Sequence, residues 1–355
     1  MPEILPENPD QFWSWVSANC KDRFISSGKY TWTLQTYLHL KATGFPCELT
    51  ATMPAEGIVL SHRSLLPNDL KPTAKILMVC IQGDKRRHPY AQIHLVQNPQ
   101  QEAIYKLLPL WQNYYIHFWP QNGIIPRDFT HGERFRNICF FGRSYINLAP
   151  ELKESWWKQQ FHNLGLNFQI VANPDKWHDY SNVDAILAVR SFRRMAGNYG
   201  WKPATKLYNS WLAGVPAILG CESAYRSERK SELDYIEVSS PNELLLGLKR
   251  LRDDGEWRHA VVANGHIRAE EIKPATITNQ WCNFITDVAV PTYESWCTLS
   301  NFEQQNLLRR STLIARFQNG QREVIKFSRR VDRALSKQLQ SGKLLNSVTE
   351  ESFSN

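Results

Sequence analysis

The chemically most distinctive part of the chain is residues 201–220, WKPATKLYNSWLAGVPAILG. Lys202, Thr205 and Lys206 lie just before apolar residues that recur at helical spacing over 207–212. Gly214 is placed to end this helix, and 215–219 has the composition of a short buried strand. The first turn of a helix exposes unpaired N–H groups at its positive end, and two lysines and a hydroxyl there favour a phosphate. The alternative is a solvated loop before an ordinary helix.

The elements that must position this loop follow a regular alternation in the second half of the chain. Strands are expected at 137–141, 167–171, 183–189 and 215–219, with helices at 150–164 and 244–251, the latter capped by residues 239–243. Alternating strands and helices predict a doubly wound parallel sheet, in which ligands bind beyond the carboxyl ends of the strands.

Basic residues follow two of these predicted strands. Gly142 and Arg143 come directly after the first, and Arg190 follows the third. We expect them to converge with the 202–206 loop at one edge of the sheet. A salt bridge within the sheet edge is the alternative for Arg190.

The first half is less regular. A capped helix is expected just after Asn8, and a helical run at 32–41. Strands are expected at 47–52, 57–61, 75–81, 91–96 and 114–119, which indicates an α/β unit with some antiparallel pairing. Residues 120–134, with two prolines and two glycines, have the composition of an interdomain linker.

The predicted organisation is therefore two α/β domains and a helical tail. The first domain spans 1–131, the second 132–290, and helices within 291–355 pack back on the first domain, with a frayed end. The tail contains helical runs at 301–317 and 325–339.

Composition restricts the classes of function. The 355-residue chain carries a net charge of +8, but its basic residues occur in small groups at 85–87, 193–194, 309–310 and 329–330. Nucleic acid binding usually needs a larger continuous patch, so no nucleic acid partner is expected. No apolar run is long enough to span a membrane, and the start lacks the pattern of a signal peptide.

The seven cysteines have no C-x-x-C spacing, which predicts mostly buried free thiols and a cytoplasmic protein. No D-x-D motif or cluster of carboxylates with metal spacing occurs, so no bound metal or permanent cofactor is expected.

Residues 135–275 resemble the donor-binding domain of GT-B glycosyltransferases. The resemblance is carried by NICFFGR ending at Arg143, DAILAVR ending at Arg190, the segment KPATKLYNSWLAGVP at 202–216, and VANGHIR at 262–268. It implies two Rossmann-like domains facing a cleft, with the nucleotide-sugar on the C-terminal one. Many retaining members carry two glutamates at positions held here by Trp201 and Asn209, so the acidic pair is absent and stereochemistry stays open.

The resemblance implies roles for named residues. Gly142 and Arg143 would approach the diphosphate, Lys206 with Thr205 would neutralise the leaving group, and Arg190 would supply a second cation. Lys202 would contribute to the same site, Asn209 would bond a hydroxyl, and Gly28 with Lys29 would reach the phosphates from the first domain. Because these cations compensate the charge of the departing nucleoside diphosphate, no divalent metal is expected.

A general base on the acceptor hydroxyl would come from the first domain if the reaction inverts the sugar. His62 follows the 57–61 strand and Asp84 follows the 75–81 strand, so these two are the candidates. His94 and His117 are expected inside strands, as core or sheet-face residues.

These observations predict a metal-independent, hexosyltransferase-like glycosyltransferase for polysaccharide biosynthesis. It would take a nucleotide-sugar donor and a glycan or lipid-linked acceptor, with peripheral contact to the anionic inner membrane face. The alternatives are a non-catalytic GT-B-like binding protein in polysaccharide assembly, or a sugar-nucleotide epimerase.

Overall fold

The computed structural model describes residues 5–19, 28–100, 112–192 and 199–351, and in them two separate parallel β-sheets. The first has four strands in the order β1-β2-β3-β4, and the second five in the order β6-β5-β7-β8-β9. The strands are β1 Gly57–His62, β2 Ile76–Ile81, β3 Ile93–Val96, β4 Gln112–Tyr115, β5 Asn137–Phe141, β6 Asn167–Val171, β7 Ala185–Ala188, β8 Ala217–Gly220 and β9 Ile236–Val238.

The α-helices of the described residues cover both faces of these sheets and form the tail. They are α1 Phe12–Asn19, α2 Thr36–Ala42, α3 Ser144–Asn147, α4 Ser155–Asn163, α5 Thr205–Ala213, α6 Ser223–Glu228, α7 Pro241–Asp253, α8 Gly255–Ala269, α9 Pro274–Phe284, α10 Val290–Thr298 and α11 Asn301–Glu351. Central strands such as β2 and β5 are buried along their whole length, as parallel strands covered on both faces should be.

The first sheet differs from expectation in three respects. Every pairing between its described strands is parallel, so the expected antiparallel pieces are wrong. Residues 47–52 form no strand, because the Thr50 hydroxyl bonds locally to the N–H and C=O of Thr52 and the segment is largely exposed. The strand expected at 114–119 ends at Tyr115, so His117 lies beyond β4 rather than inside it.

The second sheet follows the predicted alternation closely. Its strand order reverses between β5 and β7, which makes this the topological switch point. Gly214 ends α5 in the left-handed conformation at φ 67°, and Ser240 caps α7 while the Glu243 carboxylate accepts from Ser239 N at 2.6 Å.

The chain returns to the first domain at α9, before the expected boundary at residue 291. Ile277, Trp281 and Phe284 are buried in the same core cluster as Trp32 and Leu77 of the first domain. The tail then ends in one continuous helix, α11, rather than the two helical runs expected. Two parallel α/β domains with helices returning to the first are the organisation expected from the sequence.

The described cysteines form no disulfide. Cys80 and Cys139 are buried as expected, whereas Cys297 is exposed because it lies on the solvent side of α10, and Cys20 lies outside the described residues. In the part of the chain that is described, no helix is long and apolar enough to cross a membrane.

Candidate functional site

The candidate site lies beyond the carboxyl ends of β5, β7 and β8, beside the switch point of the second sheet. Gly142 directly follows β5 and has φ 141°, a conformation that L side chains rarely adopt. A Cβ at this position would lie 3.3 Å from Phe140 Cζ and 3.7 Å from Lys206 Nζ. The glycine therefore leaves the backbone open next to a lysine ammonium.

Lys206 occupies the first turn of α5 and is the central cation of the site. Its Nζ lies 5.6 Å from the centroid of the Phe140 ring. Burial, together with the charges of Arg190 and Lys202 and against the opposing charge of Glu222, lowers the pKa of Lys206 to about 7. Within the described residues, no hydrogen bond or ion pair engages Nζ. An anion at this point would pair with the ammonium and keep it protonated.

Arg190 and Glu222 form a buried ion pair at the ends of β7 and β8. Nη1 of Arg190 donates to Glu222 Oε2, and Nε donates to Asn147 Oδ1 at 3.2 Å. Burial acts to lower the pKa of Arg190, but Glu222, Tyr225 and Tyr199 together have the larger effect and raise it. Burial raises the pKa of Glu222, opposed by Arg190 and Lys206. Glu222 Oε1 has no hydrogen-bond partner among the described residues, so the site retains one unused acceptor.

The N-terminus of α5 is not capped by a side chain. The cap position is Ala204, which has no side-chain acceptor, and Thr205 is the first helical residue. Since Leu207 N donates to Ala204 O at 2.9 Å, the nine-residue helix presents the N–H groups of Thr205 and Lys206 toward the same edge as Gly142. The anion site at this edge stays a prediction.

The first domain contacts the loop before α5 through its own strand ends. Lys202 Nζ lies 3.0 Å from Asp84 Oδ2, just beyond β2. Gln97 and Asn98, beyond β3, donate to the carbonyls of Trp201 and Lys202 at 2.9 and 3.2 Å. The carboxyl edges of the two sheets therefore face each other across this loop.

A second contact between the domains fixes α5 itself. Tyr208 of α5 and Tyr115 of β4 both donate to Glu228 Oε1, at 2.6 and 2.7 Å. His117 Nε2 lies 3.6 Å from Glu228 Oε2; burial opposes its charge, but Glu228 raises the pKa of His117. His117 is thus a domain-contact residue, not the sheet-face residue expected.

His62 ends β1 and is buried beside Gly83. Its Nδ1 accepts from Ser64 N at 3.2 Å, so the neutral ring carries its proton on Nε2. Burial lowers the pKa of His62 to about 4, with Lys85 adding to the effect and Asp84 opposing it. With Nδ1 engaged by Ser64 N and a lowered pKa, His62 is poorly suited to take up a proton near neutral pH. The geometry therefore favours Asp84 over His62 as the base.

Asn209 is bound to the linker rather than to the site. Its Oδ1 accepts from Gln121 N at 3.1 Å, and its side chain also bonds Tyr180. These contacts occupy a side chain that is only 7% exposed. We assign Asn209 to holding the linker against α5, and leave it outside the proposed donor site.

The other predicted residues lie at the margins. Arg143 precedes the short α3 and is partly buried, and Lys29 Nζ lies over the Tyr30 ring at 4.7 Å. Lys29 is close enough to His62 to lower its pKa, so it lies on the first-domain side with Gly28. The basic pair at 193–194 lies outside the described residues.

Three functional candidates were not identified from the sequence: Glu222, Gln97 and Asn98. Each lies one or two residues beyond a strand end, but its relevance depends on contacts between strands or between domains that the local sequence does not show. Among the described residues, no group of three or more His, Cys, Asp or Glu side chains could hold a metal ion.

No family model and no curated protein sequence matches the chain. Solved structures match parts of it. Anabaena HepE in complex with UDP and glucose is 10% identical over 56% of this chain and 64% of that one, with a TM-score of 0.41. The pneumococcal O-GlcNAc transferase GtfA in complex with UDP and GlcNAc is 11% identical over 61% of this chain and 53% of that one, with a TM-score of 0.45. Sucrose-phosphate synthase from Thermosynechococcus elongatus is 12% identical over 66% of this chain and 74% of that one, with a TM-score of 0.46.

Proposed function

We propose that the protein is a glycosyltransferase that moves a sugar from a nucleoside diphosphate to an acceptor hydroxyl without a metal ion. The observation that carries the proposal is Lys206, a partly buried lysine whose ammonium contacts the Phe140 ring and has no hydrogen-bond or ion-pair partner among the described residues. It lies beside the open backbone of Gly142 at the switch point of a doubly wound sheet. A lysine in such a place is suited to an anionic ligand.

The chemistry that the site supports is the departure of a diphosphate. The bond between the sugar's anomeric carbon and the phosphate oxygen breaks, and negative charge develops on that oxygen. Lys206 and the first turn of α5 stabilise this charge, as preorganised donors do in other transfer reactions. Arg190 contributes positive potential at the site, partly compensated by its ion pair with Glu222. The acceptor hydroxyl bonds to the anomeric carbon and gives up its proton.

Asp84 is the residue that we assign to receive that proton. Its carboxylate is half exposed and pairs with Lys202 across the domains. A bound diphosphate would compete with Asp84 for the Lys202 ammonium. Replacing Asp84 with asparagine should therefore lower turnover while nucleoside diphosphate binding, measured by thermal shift, stays intact. Loss of binding together with turnover would instead give Asp84 a structural role in domain contact.

A non-catalytic sugar-nucleotide-binding protein is the second candidate. The observation in its favour is that Trp201 and Asn209 replace an acidic pair, and that Asn209 is occupied by the linker. Glu222, with its unused Oε1, supplies a carboxylate from a different strand and makes the transferase the better supported of the two. An epimerase would need an acid–base pair near the sugar, which these residues do not provide.

Thermal shift with UDP, GDP, ADP and CDP tests the proposal. We expect one of them at millimolar concentration to raise the melting temperature by several degrees, since RT ln(1 + [L]/Kd) reaches about 2.7 kcal/mol at a hundredfold excess over Kd. The corresponding nucleotide sugar should then release nucleoside diphosphate slowly in the presence of EDTA. Thermal stabilisation without turnover of the nucleotide sugar would favour the non-catalytic binding protein. The absence of stabilisation by any of the four nucleoside diphosphates would contradict both candidate functions.

A further inference from the structure

A stripe of large apolar side chains runs along the exposed side of α11. Its members, called here the apolar stripe, are Phe302, Leu313, Phe317, Val324, Phe327 and Val331. The phenylalanines are 74%, 66% and 66% exposed. At 3.6 residues per turn, all six lie within about 80° of one another, over a length of about 44 Å.

The opposite side of α11 is attached to the first domain. Leu308 is buried in that domain's core cluster, and Gln304 Nε2 donates to Ala74 O at 3.1 Å. Farther along, Asn319 Oδ1 accepts from Arg87 N, and Glu323 pairs with Arg86 at 2.8 Å. Because these contacts hold one side of the helix, the apolar stripe faces away from the protein.

The charges beside the apolar stripe are mostly positive. Between residues 301 and 331 the sequence has six arginines and one lysine against two glutamates, and one of those glutamates is Glu323, already paired with Arg86. Arg309, Arg310 and Arg316 are exposed and lie on the stripe or within about 60° of its midline. Such flanks suit an anionic surface.

A second copy of the chain fits this charge pattern less well. In a parallel pair of α11 helices packed through the apolar stripe, the flanking positions would place Arg316 opposite Gln321 and Glu323 opposite Ser328. No opposite charges would meet, and Gly320 leaves a gap in the middle of the seam. Charge complementarity therefore favours lipid over self-association.

We propose that the apolar stripe of α11 lies in the interface of an anionic membrane, with its phenylalanines in the acyl boundary and its arginines on lipid phosphates. The inference does not depend on the proposed function. Since α11 is attached to the first domain, membrane binding would place that domain against the lipid surface.

Co-sedimentation of the full chain with vesicles tests this proposal. The probes are phosphatidylcholine vesicles with and without about one-third phosphatidylglycerol, at low and high salt. We expect the wild type to bind the anionic vesicles at least about tenfold more strongly than the neutral ones, with binding weakened by salt. The double variant Phe317→Ser, Phe327→Ser should lose at least about tenfold in binding to anionic vesicles.

A matched control removes exposed apolar side chains from the second domain. Leu246 and Ile267 are 60% and 68% exposed, and the variant Leu246→Ser, Ile267→Ser should bind vesicles as the wild type does. Both double variants should keep the wild-type melting temperature, since all four side chains are exposed. Unchanged vesicle binding by the phenylalanine variant, or equal loss in both, would overturn the proposal. So would a wild-type dimer in sedimentation velocity that the phenylalanine variant dissolves.

Discussion

Replacing Lys206 with alanine should abolish the stabilisation by nucleoside diphosphate and lower the turnover of nucleotide sugar by at least about a hundredfold. The size of the expected loss follows from the removal of a preorganised donor at the developing negative charge, which typically lowers turnover by a factor of about 100 to 1,000. The fold should persist, because the ammonium has no partner among the described residues that the change would strand. Thermal shift and a coupled nucleoside diphosphate assay measure the two effects.

The pH dependence of binding provides a sharper form of this prediction. The Lys206 pKa of about 7 means that the free protein must take up a proton to bind a diphosphate at higher pH. Affinity should therefore fall as pH rises through 7, beyond the change due to the nucleotide itself. The variant Lys206→Arg keeps its charge and should show only the nucleotide's own dependence. Identical pH profiles for the two proteins would contradict the role given to Lys206.

The same lysine affects stability without ligand. Its folded pKa, about 7, is depressed below the ordinary 10.5, so between these values the unfolded state binds more protons. Its contribution to the free energy of unfolding therefore rises with pH across that window, and is lost again as pH falls toward 7. Lys206→Met should remove this dependence and be the more stable protein near pH 7.

Replacing Asp184 with alanine should destabilise the protein by about 3–5 kcal/mol. The carboxylate is 2% exposed and accepts hydrogen bonds from Arg127 Nε at 3.0 Å and from the backbone N–H groups of Arg136 and Asn137, both at 2.8 Å. Its loss would leave a partly buried guanidinium and two strand-end N–H groups without their acceptor. Because these residues tie the linker to β5 and β7, the site at the switch point should loosen as well.

Denaturant unfolding measures this effect. Asp253 is the matched control, since its ion pair with Arg252 is exposed and Asp253→Ala should leave the unfolding midpoint unchanged. If the free energy of unfolding of Asp184→Ala lies within about 1 kcal/mol of the wild-type value, the linker contact contributes little to stability.

The second domain could be predicted from the sequence because its strands are buried runs separated by helices with clear capping signals. β5 and β6 lie where the pattern places them, and Gly214 ends α5 as its position indicates. The first domain was harder, because short apolar segments such as 47–52 have strand composition but bury too little surface to pair. Local bonds of Thr50 decide the conformation there.

The cations of the candidate site could be predicted, but their partners could not. Arg190 and Lys206 stand out as charges at strand and helix ends, whereas Glu222 becomes relevant only when β7 and β8 pair in parallel. The contacts of Gln97, Asn98 and Asp84 with the loop depend on how two domains meet, which no local pattern encodes. His62 follows a strand end as a candidate base should, but the local hydrogen bond from Ser64 N to its Nδ1 assigns the proton to Nε2, which the sequence does not reveal.

A crystal structure with the nucleoside diphosphate that gives the largest thermal shift tests the central claim most directly. The account predicts the β-phosphate within hydrogen-bond distance of Lys206 Nζ, against the backbone of Gly142 and the first turn of α5. A nucleotide bound instead at the basic residues of the first domain, beside Arg63 and Lys85, or no bound nucleotide at the edge of the second sheet, would contradict it.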